Sequence, residues 1–179
     1  MSIAMTTAHT NGSPAVRLRR ATDNDWGQIR RWLARPEVIR WWGPKATTEA
    51  EVMLAMSTPQ AICCIIEVDG APAGYVHALE AGAWGEPLPK ALPAGSWDID
   101  LFVATPEHRG RGVGARALRL IADEVFSTTL AVAACVHVAV ANERVVRAYE
   151  AANFRWRAVV RDPVMGPEWL MVAERPRKQ

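Results

Sequence analysis

The 179-residue chain lacks the features that are typical of secreted, membrane-spanning or zinc-binding proteins. Its three cysteines, Cys63, Cys64 and Cys135, match the spacing of neither a disulfide framework nor a metal site. The longest apolar runs, such as residues 61–66, are far too short to cross a bilayer. The first residues show no basic segment followed by an apolar one, so they do not indicate a signal peptide. We therefore expect a soluble, cytoplasmic protein with no metal and no membrane contact.

The chain also lacks a strong excess of charge of either sign. Its formal net charge of +2 is too small to indicate a nucleic-acid partner. The distribution is less even, because residues 65–107 contain seven acids and a single base, Lys90. Either this segment forms solvated acidic loops, or it binds a cation while the more basic flanking segments bind an anion.

Half of the residues are apolar, and the length suits one domain with a sizeable core. We predict a flexible N-terminal tail over 1–15 and one domain over 16–179, of mixed α+β class. Hydrophobic periodicity and an Asp69-Gly70 turn predict strands over 16–22, 61–68, 73–79, 97–104, 130–140, 154–161 and 168–174. Helices are expected from Thr22 or Asp23 to Arg35, from a capping box at 47–51 to about 56, over 112–126, and over 142–152.

A glycine-rich turn, HRGRGVGAR over 108–116, lies between a predicted strand and a predicted helix. Gly110, Gly112 and Gly114 leave the backbone accessible, and the helix N-terminus favours an anion. Arg109 and Arg111 add positive charge. There is no Gly-Lys-Ser/Thr, and residues 127–142 contain no acid that could bind a ribose, which excludes a nucleotide P-loop and a dinucleotide fold. A phosphate or pyrophosphate is the expected ligand.

Two motifs resemble those of the GNAT N-acetyltransferases. Arg109-x-x-Gly112-x-Gly114 is similar to the family's acetyl-CoA pyrophosphate loop, and VAVANERVVRAYEAANF over 138–154 is similar to its second motif. The order of elements also matches from residue 16 onward. The resemblance implies a GNAT fold, in which about four helices flank a twisted, mostly antiparallel sheet with one splayed strand pair.

The resemblance also implies which residues bind acetyl-CoA. Backbone amides over 111–115 would hold the pyrophosphate, and Asn142 would contact the pantetheine arm. Tyr149 would protonate the departing thiolate. The complete set of implied cofactor residues is Phe102, Val103, Arg109, Arg111, Gly112, Val113, Gly114, Ala115 and Asn142.

A narrower resemblance concerns the acceptor. RRWLARPEVIRWWG over 30–43 and WDIDLFVA over 97–104 are similar to segments of aminoglycoside 6'-N-acetyltransferases. That match implies that Asp100 binds and deprotonates the reacting amine of a small cationic substrate, with resistance as the outcome. Alternation along the strand places Asp98 on the same face as Asp100. The implied acceptor residues are Trp41, Trp42, Glu80, Trp84, Asp98, Asp100 and His137.

The chain departs from this narrower pattern at two positions. His137 stands where the subgroup carries an acid, and an acid of the last hairpin is replaced around Met165, although Asp162 and Glu168 lie close in sequence. Acyl transfer to a hydroxylysine-type siderophore amine, or to a protein N-terminus, therefore stays open as an alternative, although Asp100 counts against the hydroxylysine-type amine. A non-catalytic acyl-CoA sensor would need neither Asp100 nor Tyr149. The protein is expected to be a monomer or a homodimer.

Overall fold

The computed structural model describes residues 5–6, 13–85 and 87–176. The strands are β1 (Met5–Thr6), β2 (Val16–Arg20), β3 (Ile62–Val68), β4 (Ala71–Glu80), β5 (Ser96–Val103), β6 (Ala133–Ala139), β7 (Arg155–Asp162) and β8 (Gly166–Glu174). The α-helices are α1 (Trp26–Leu33), α2 (Pro36–Trp42), α3 (Lys45–Ser57), α4 (Val113–Thr128) and α5 (Glu143–Ala151). Short 3-10 turns precede α1 and follow β4 and β5. None of the helices in these ranges is both long enough and apolar enough to cross a bilayer.

The strands form one mixed sheet in the order β1-β2-β3-β4-β5-β6-β8-β7 within the described ranges. All neighbouring pairs are antiparallel except β5 and β6, which are parallel. The crossover from β5 to β6 contains α4, as a parallel pair requires. This arrangement confirms the predicted fold class. Most of the predicted tail lies outside the described residues, and within it Met5–Thr6 pair with β2.

Helices cover both faces of the sheet. On one face, α4 and α5 pack against inward-pointing residues such as Ile99, Leu101 and Val136. On the other face, α1 to α3 bury Phe102 and Tyr75. Burial on both faces explains why β6 reads as an almost continuous apolar run instead of an alternating one.

The described residues contain five α-helices, in line with the expected number, and Pro36 ends α1 and then occupies the first turn of α2. One prediction about the helices needs correction. The capping box at 47–51 is wrong, because α3 already begins at Lys45 after Pro44. Thr48 lies inside this helix, where its hydroxyl donates to the carbonyl of Lys45 at 3.1 Å.

Candidate functional site

A cleft opens where β5 and β6 separate. Their parallel pairing covers Ser96–Asp98 and Ala133–Cys135, and both strands then continue past it, to Val103 and Ala139. The cavity beyond this point has a volume of about 420 Å3. Its walls come from α2, the end of β5, the glycine turn, the end of β6 and α5. The strand pair that was expected to splay is therefore β5 and β6. The two strands separate after Asp98 and Cys135, and we call this point the apex of the cleft.

The glycine turn forms one end of the cleft. Gly110 and Gly112 have φ angles of 72° and 74°, which favour glycine, and Gly112 directly precedes α4. The 16-residue helix α4 therefore points its free N–H groups and the positive end of its dipole at the cleft. The turn lines the cavity with Gly110, Gly112, Val113, Gly114 and Ala115, whereas Arg111 is exposed and is not part of this lining.

Arg109 is tied to the end of β5. Its Nε donates to the carbonyl of Val103 at 2.8 Å, and its Nη2 donates to the carbonyl of Ala104 at 2.8 Å. Glu37 on α2 also accepts from Nη2, at 3.3 Å. Arg109 lines the cavity, but its guanidinium already has three partners, so its main effect is to fix the shape of the turn. The side chain therefore holds the turn against α2 and β5.

Helix α5 supplies the opposite wall. Asn142, immediately before this helix, lines the cavity together with Val145, Ala148 and the largely buried Tyr149. Burial raises the pKa of Tyr149, so its hydroxyl keeps its proton at neutral pH.

Sequence reasoning missed Arg144, whose guanidinium occupies the space that a Cβ on residue 110 would need. Arg144 is one helical turn before Ala148, as Val145 is before Tyr149, and this spacing places all four on the face of α5 that lines the cavity.

The apex of the cleft contains two acid–histidine pairs. Nδ1 of His137 lies 3.5 Å from Oδ1 of Asp98, and Nε2 of His77 lies 3.6 Å from Oδ2 of Asp100. Sγ of Cys135 also lies 3.6 Å from Asp98. Asp100 is 37% exposed at its side chain, whereas the side chain of Asp98 is only 10% exposed. Asp98 is thus enclosed by protein and Asp100 is partly exposed, although neither is among the residues that line the cavity.

The histidines of the two acid–histidine pairs differ in charge. Burial and the negative charge of Asp98 raise the pKa of Asp100 well above its usual value. Burial lowers the pKa of His77 to about 4, so this imidazole is neutral at physiological pH. Burial also opposes the protonated form of His137, but the hydrogen bond and charge of Asp98 outweigh it and raise the pKa of His137 to about 9. Burial is the largest single effect on Asp98 and would raise its pKa, but the hydrogen bond and charge of His137, together with smaller contributions from its other neighbours, lower it.

Tryptophans from α2 close the acceptor side. The Trp42 indole Nε1 donates to the carbonyl of Leu101 at 3.2 Å, and its ring meets Phe102 edge-on with centroids 4.8 Å apart. Trp41 also lines the cavity, with the guanidinium of Arg40 stacked 4.8 Å from its ring centroid. Trp42 is therefore held rigidly by the protein core, as a wall residue of a binding site must be.

Of the other residues predicted to bind the acceptor, one does not line the cavity and one has a side chain outside the described residues. Glu80 is exposed at the end of β4 and is not among the cavity-lining residues. The side chain of Trp84 lies outside the described residues.

Three further acids act on the apex from neighbouring elements. Burial raises the pKa of Glu51 on α3, and the charges of Asp162 and Asp98 raise it further. Burial also raises the pKa of Glu168 on β8. Glu51 was assigned to helix capping from the sequence, and no sequence signal connects it to β5. Acids from β5, α3 and β8 therefore lie close enough to act on one another at the cleft apex.

Comparisons with known proteins agree with this geometry. A family model described as an acetyltransferase (GNAT) domain matches residues 21–161. The chain is 26% identical over 178 residues to the aminoglycoside N(6')-acetyltransferase type 1 of Klebsiella pneumoniae, which covers 93% of this chain and 86% of that protein. The protein of the same name from Serratia marcescens gives the same values.

Solved structures show the same fold. The aminoglycoside acetyltransferase AAC(6')-Ib in complex with coenzyme A superposes with a TM-score of 0.77 at 25% identity, covering 89% of this chain and 95% of that one. An aminoglycoside N(6')acetyltransferase from Legionella pneumophila superposes with a TM-score of 0.68 at 17% identity, covering 88% of this chain and 90% of that one.

The cleft suits acetyl-CoA on the evidence of its own residues. The positive-φ glycines, the N-terminus of α4 and the separating strands provide a cradle for a pyrophosphate and an extended arm. The predicted cofactor residues line this one cavity, with Arg111 as the exception. With a family model spanning most of the chain, these features identify the protein as a member of the GNAT acetyltransferases and as an acetyl-CoA-dependent N-acetyltransferase.

Proposed function

We propose that this enzyme acetylates a primary amine of an aminoglycoside, at the 6' amino group. Two curated relatives that span most of the chain are named for this reaction. Related structures contain kanamycin or ribostamycin together with coenzyme A. The observation that carries the proposal is a partly exposed carboxylate, Asp100, on the strand that borders the cleft, with Asp98, Glu51 and Glu168 close enough to raise its pKa.

In this proposal, Asp100 binds the amine and takes its proton. An amine arrives as an ammonium and must lose a proton before it can attack a carbonyl. The neutral His77 behind Asp100 does not compensate its charge, so the carboxylate is available to a cation. Its raised pKa makes it a better proton acceptor than an ordinary aspartate. Glu51 and Glu168 add negative charge that attracts a polycation toward the apex.

The donor side uses other groups of the chain. Bound acetyl-CoA supplies an activated thioester. The amides of the glycine turn and the N-terminus of α4 are placed to hold its pyrophosphate. The hydroxyl of Tyr149 keeps its proton at neutral pH and faces the same cavity, so it is placed to donate to the departing sulfur. Trp42 and Phe102 keep the wall between the two substrates apolar.

The proposal is tested by thiol release from acetyl-CoA with a matched pair of acceptors. Neomycin and paromomycin differ in carrying an amine or a hydroxyl at the 6' carbon. Turnover with neomycin alone is the expected result. Turnover with both would place the reaction at another amine. No turnover with either, while calorimetry still detects acetyl-CoA binding, would point to a different acceptor, and hydroxylysine and a peptide N-terminus are the alternatives to include.

A further inference from the structure

His137 and Asp98 form a cross-strand pair at the cleft apex. Asp98 is the last residue of β5 that pairs with β6, opposite Cys135. His137 lies two residues beyond Cys135, so its side chain is on the same face of β6 and is the first from that strand to reach the open cleft. Its Nδ1 is turned toward Asp98 at 3.5 Å. The His137 ring lines the cavity, and its side chain is 26% exposed.

The groups that act on His137 are mainly acids. Asp98 and Asp100 approach from β5, and Glu168 approaches from β8. From β4, the buried His77 faces Asp100 and carries no charge at neutral pH. From α3, Glu51 adds negative charge near Asp98 and Asp100. A proton on His137 is therefore favoured from three directions, although burial opposes it.

A protonated His137 cannot act as the base of the reaction. Both ring nitrogens of an imidazolium are donors, and neither has a lone pair for an incoming proton. The ring presents instead a fixed positive charge and an N–H donor, beside a carboxylate that binds the reacting amine. A second ammonium placed against this donor would meet a like charge inside a partly buried cleft.

We propose that Asp98 is a positioning residue that keeps His137 as an oriented imidazolium, and that His137 selects acceptors that place an oxygen against it. The preferred substrate would have a hydroxyl or another oxygen acceptor elsewhere on the ring that carries the reacting amine, and an analogue with a further amine there would be disfavoured. This inference rests on the proposed function and narrows it. It gives the enzyme one positive position within an otherwise acidic acceptor site.

Kanamycin A and kanamycin B test the selection. Both carry the 6' amine, and they differ by a hydroxyl or an amine at the 2' carbon of the same ring. We expect the wild-type kcat/KM to favour kanamycin A about tenfold, because an ammonium in place of the hydroxyl replaces an accepted hydrogen bond by a like-charge contact in a partly screened cleft. His137→Gln should bring the ratio close to one, and His137→Arg should retain the preference. Equal use of both drugs by the wild type, or an unchanged ratio in His137→Gln, would overturn the selection.

A titration of the imidazole tests the pair without turnover. Nuclear magnetic resonance of the histidine ring protons, assigned by loss of a signal in His137→Gln, should give a pKa for His137 more than one unit above an ordinary histidine. Asp98→Asn should lower that pKa by at least one unit, while thermal unfolding reports whether the variant is folded. An ordinary pKa in the wild type would overturn the ion pair. If no aminoglycoside is acetylated, the proposed function fails, and this titration together with binding of the same two drugs still decides the inference.

Discussion

Removal of the Asp100 carboxylate should separate acceptor chemistry from cofactor binding. Asp100→Asn keeps the size of the side chain and deletes its charge and its capacity to accept a proton. The side chain is more than one-third exposed, and its neighbour His77 is neutral, so no buried cation is left unpaired by the change. The fold should therefore tolerate the substitution. The substitution should instead impair binding and deprotonation of the amine substrate.

The size of the effect follows from the two roles of the carboxylate. Loss of a positioned general base typically costs about 10²–10⁴ in rate, and loss of the counter-charge weakens amine binding as well. We expect kcat/KM for the aminoglycoside to fall by about 10³. The dissociation constant for acetyl-CoA should stay within about twofold, because the expected pyrophosphate contacts are at the glycine turn and α4.

The pH profile gives a second measure of the same group. The base must be ionised, so wild-type kcat/KM should be low at acidic pH and should rise as the pH passes through the raised pKa of Asp100. This rise should disappear in Asp100→Asn.

Steady-state thiol release and calorimetry provide the assays, with Glu174→Gln, an exposed acid at the end of β8, as matched control. A loss smaller than about tenfold, or an equal loss of acetyl-CoA affinity, would refute the assignment of Asp100 to the acceptor.

Other substitutions test other parts of the molecule. Tyr149→Phe should lower kcat by about 10² with little change in KM, and an unchanged kcat in thiol release would show that sulfur takes its proton elsewhere. Gly110→Ala should weaken acetyl-CoA binding in calorimetry, because its φ is positive and the Arg144 guanidinium must move. Gly70→Ala, with a similar φ and open space around it, is the control that should leave this affinity intact. Phe154→Ala should lower the free energy of unfolding in urea by about 3–5 kcal/mol, since the ring is completely buried, and a loss below about 1 kcal/mol would contradict its place in the core.

Local signals in the sequence determined most of the fold. The Asp69-Gly70 pair predicts the β3–β4 hairpin, and both residues have the positive φ that such a turn requires, 50° and 85°. Alternation along 97–104 correctly places Phe102 and the two aspartates on one face of β5 and Ile99 and Leu101 on the other. These signals are readable because they arise from neighbouring residues and from a fixed side-chain period.

Helix starts were less predictable. The capping residues at 47–51 compete with Pro44, and the proline decides the boundary because its fixed φ begins the helix earlier. A local motif therefore predicts that a helix exists more reliably than where it begins.

The functional site also combines features that the sequence predicts with features that only the tertiary structure reveals. The glycine turn and the α5 motif are continuous in sequence, so the cofactor cleft could be recognised before its shape was known. The charges at its apex depend on residues that are distant in sequence. Glu51 on α3 and Glu168 on β8 act on Asp100, and Asp98 binds His137 across two strands. Only the packed sheet brings these groups together and removes water from them, and that burial decides which carboxylate is raised in pKa and which histidine is charged.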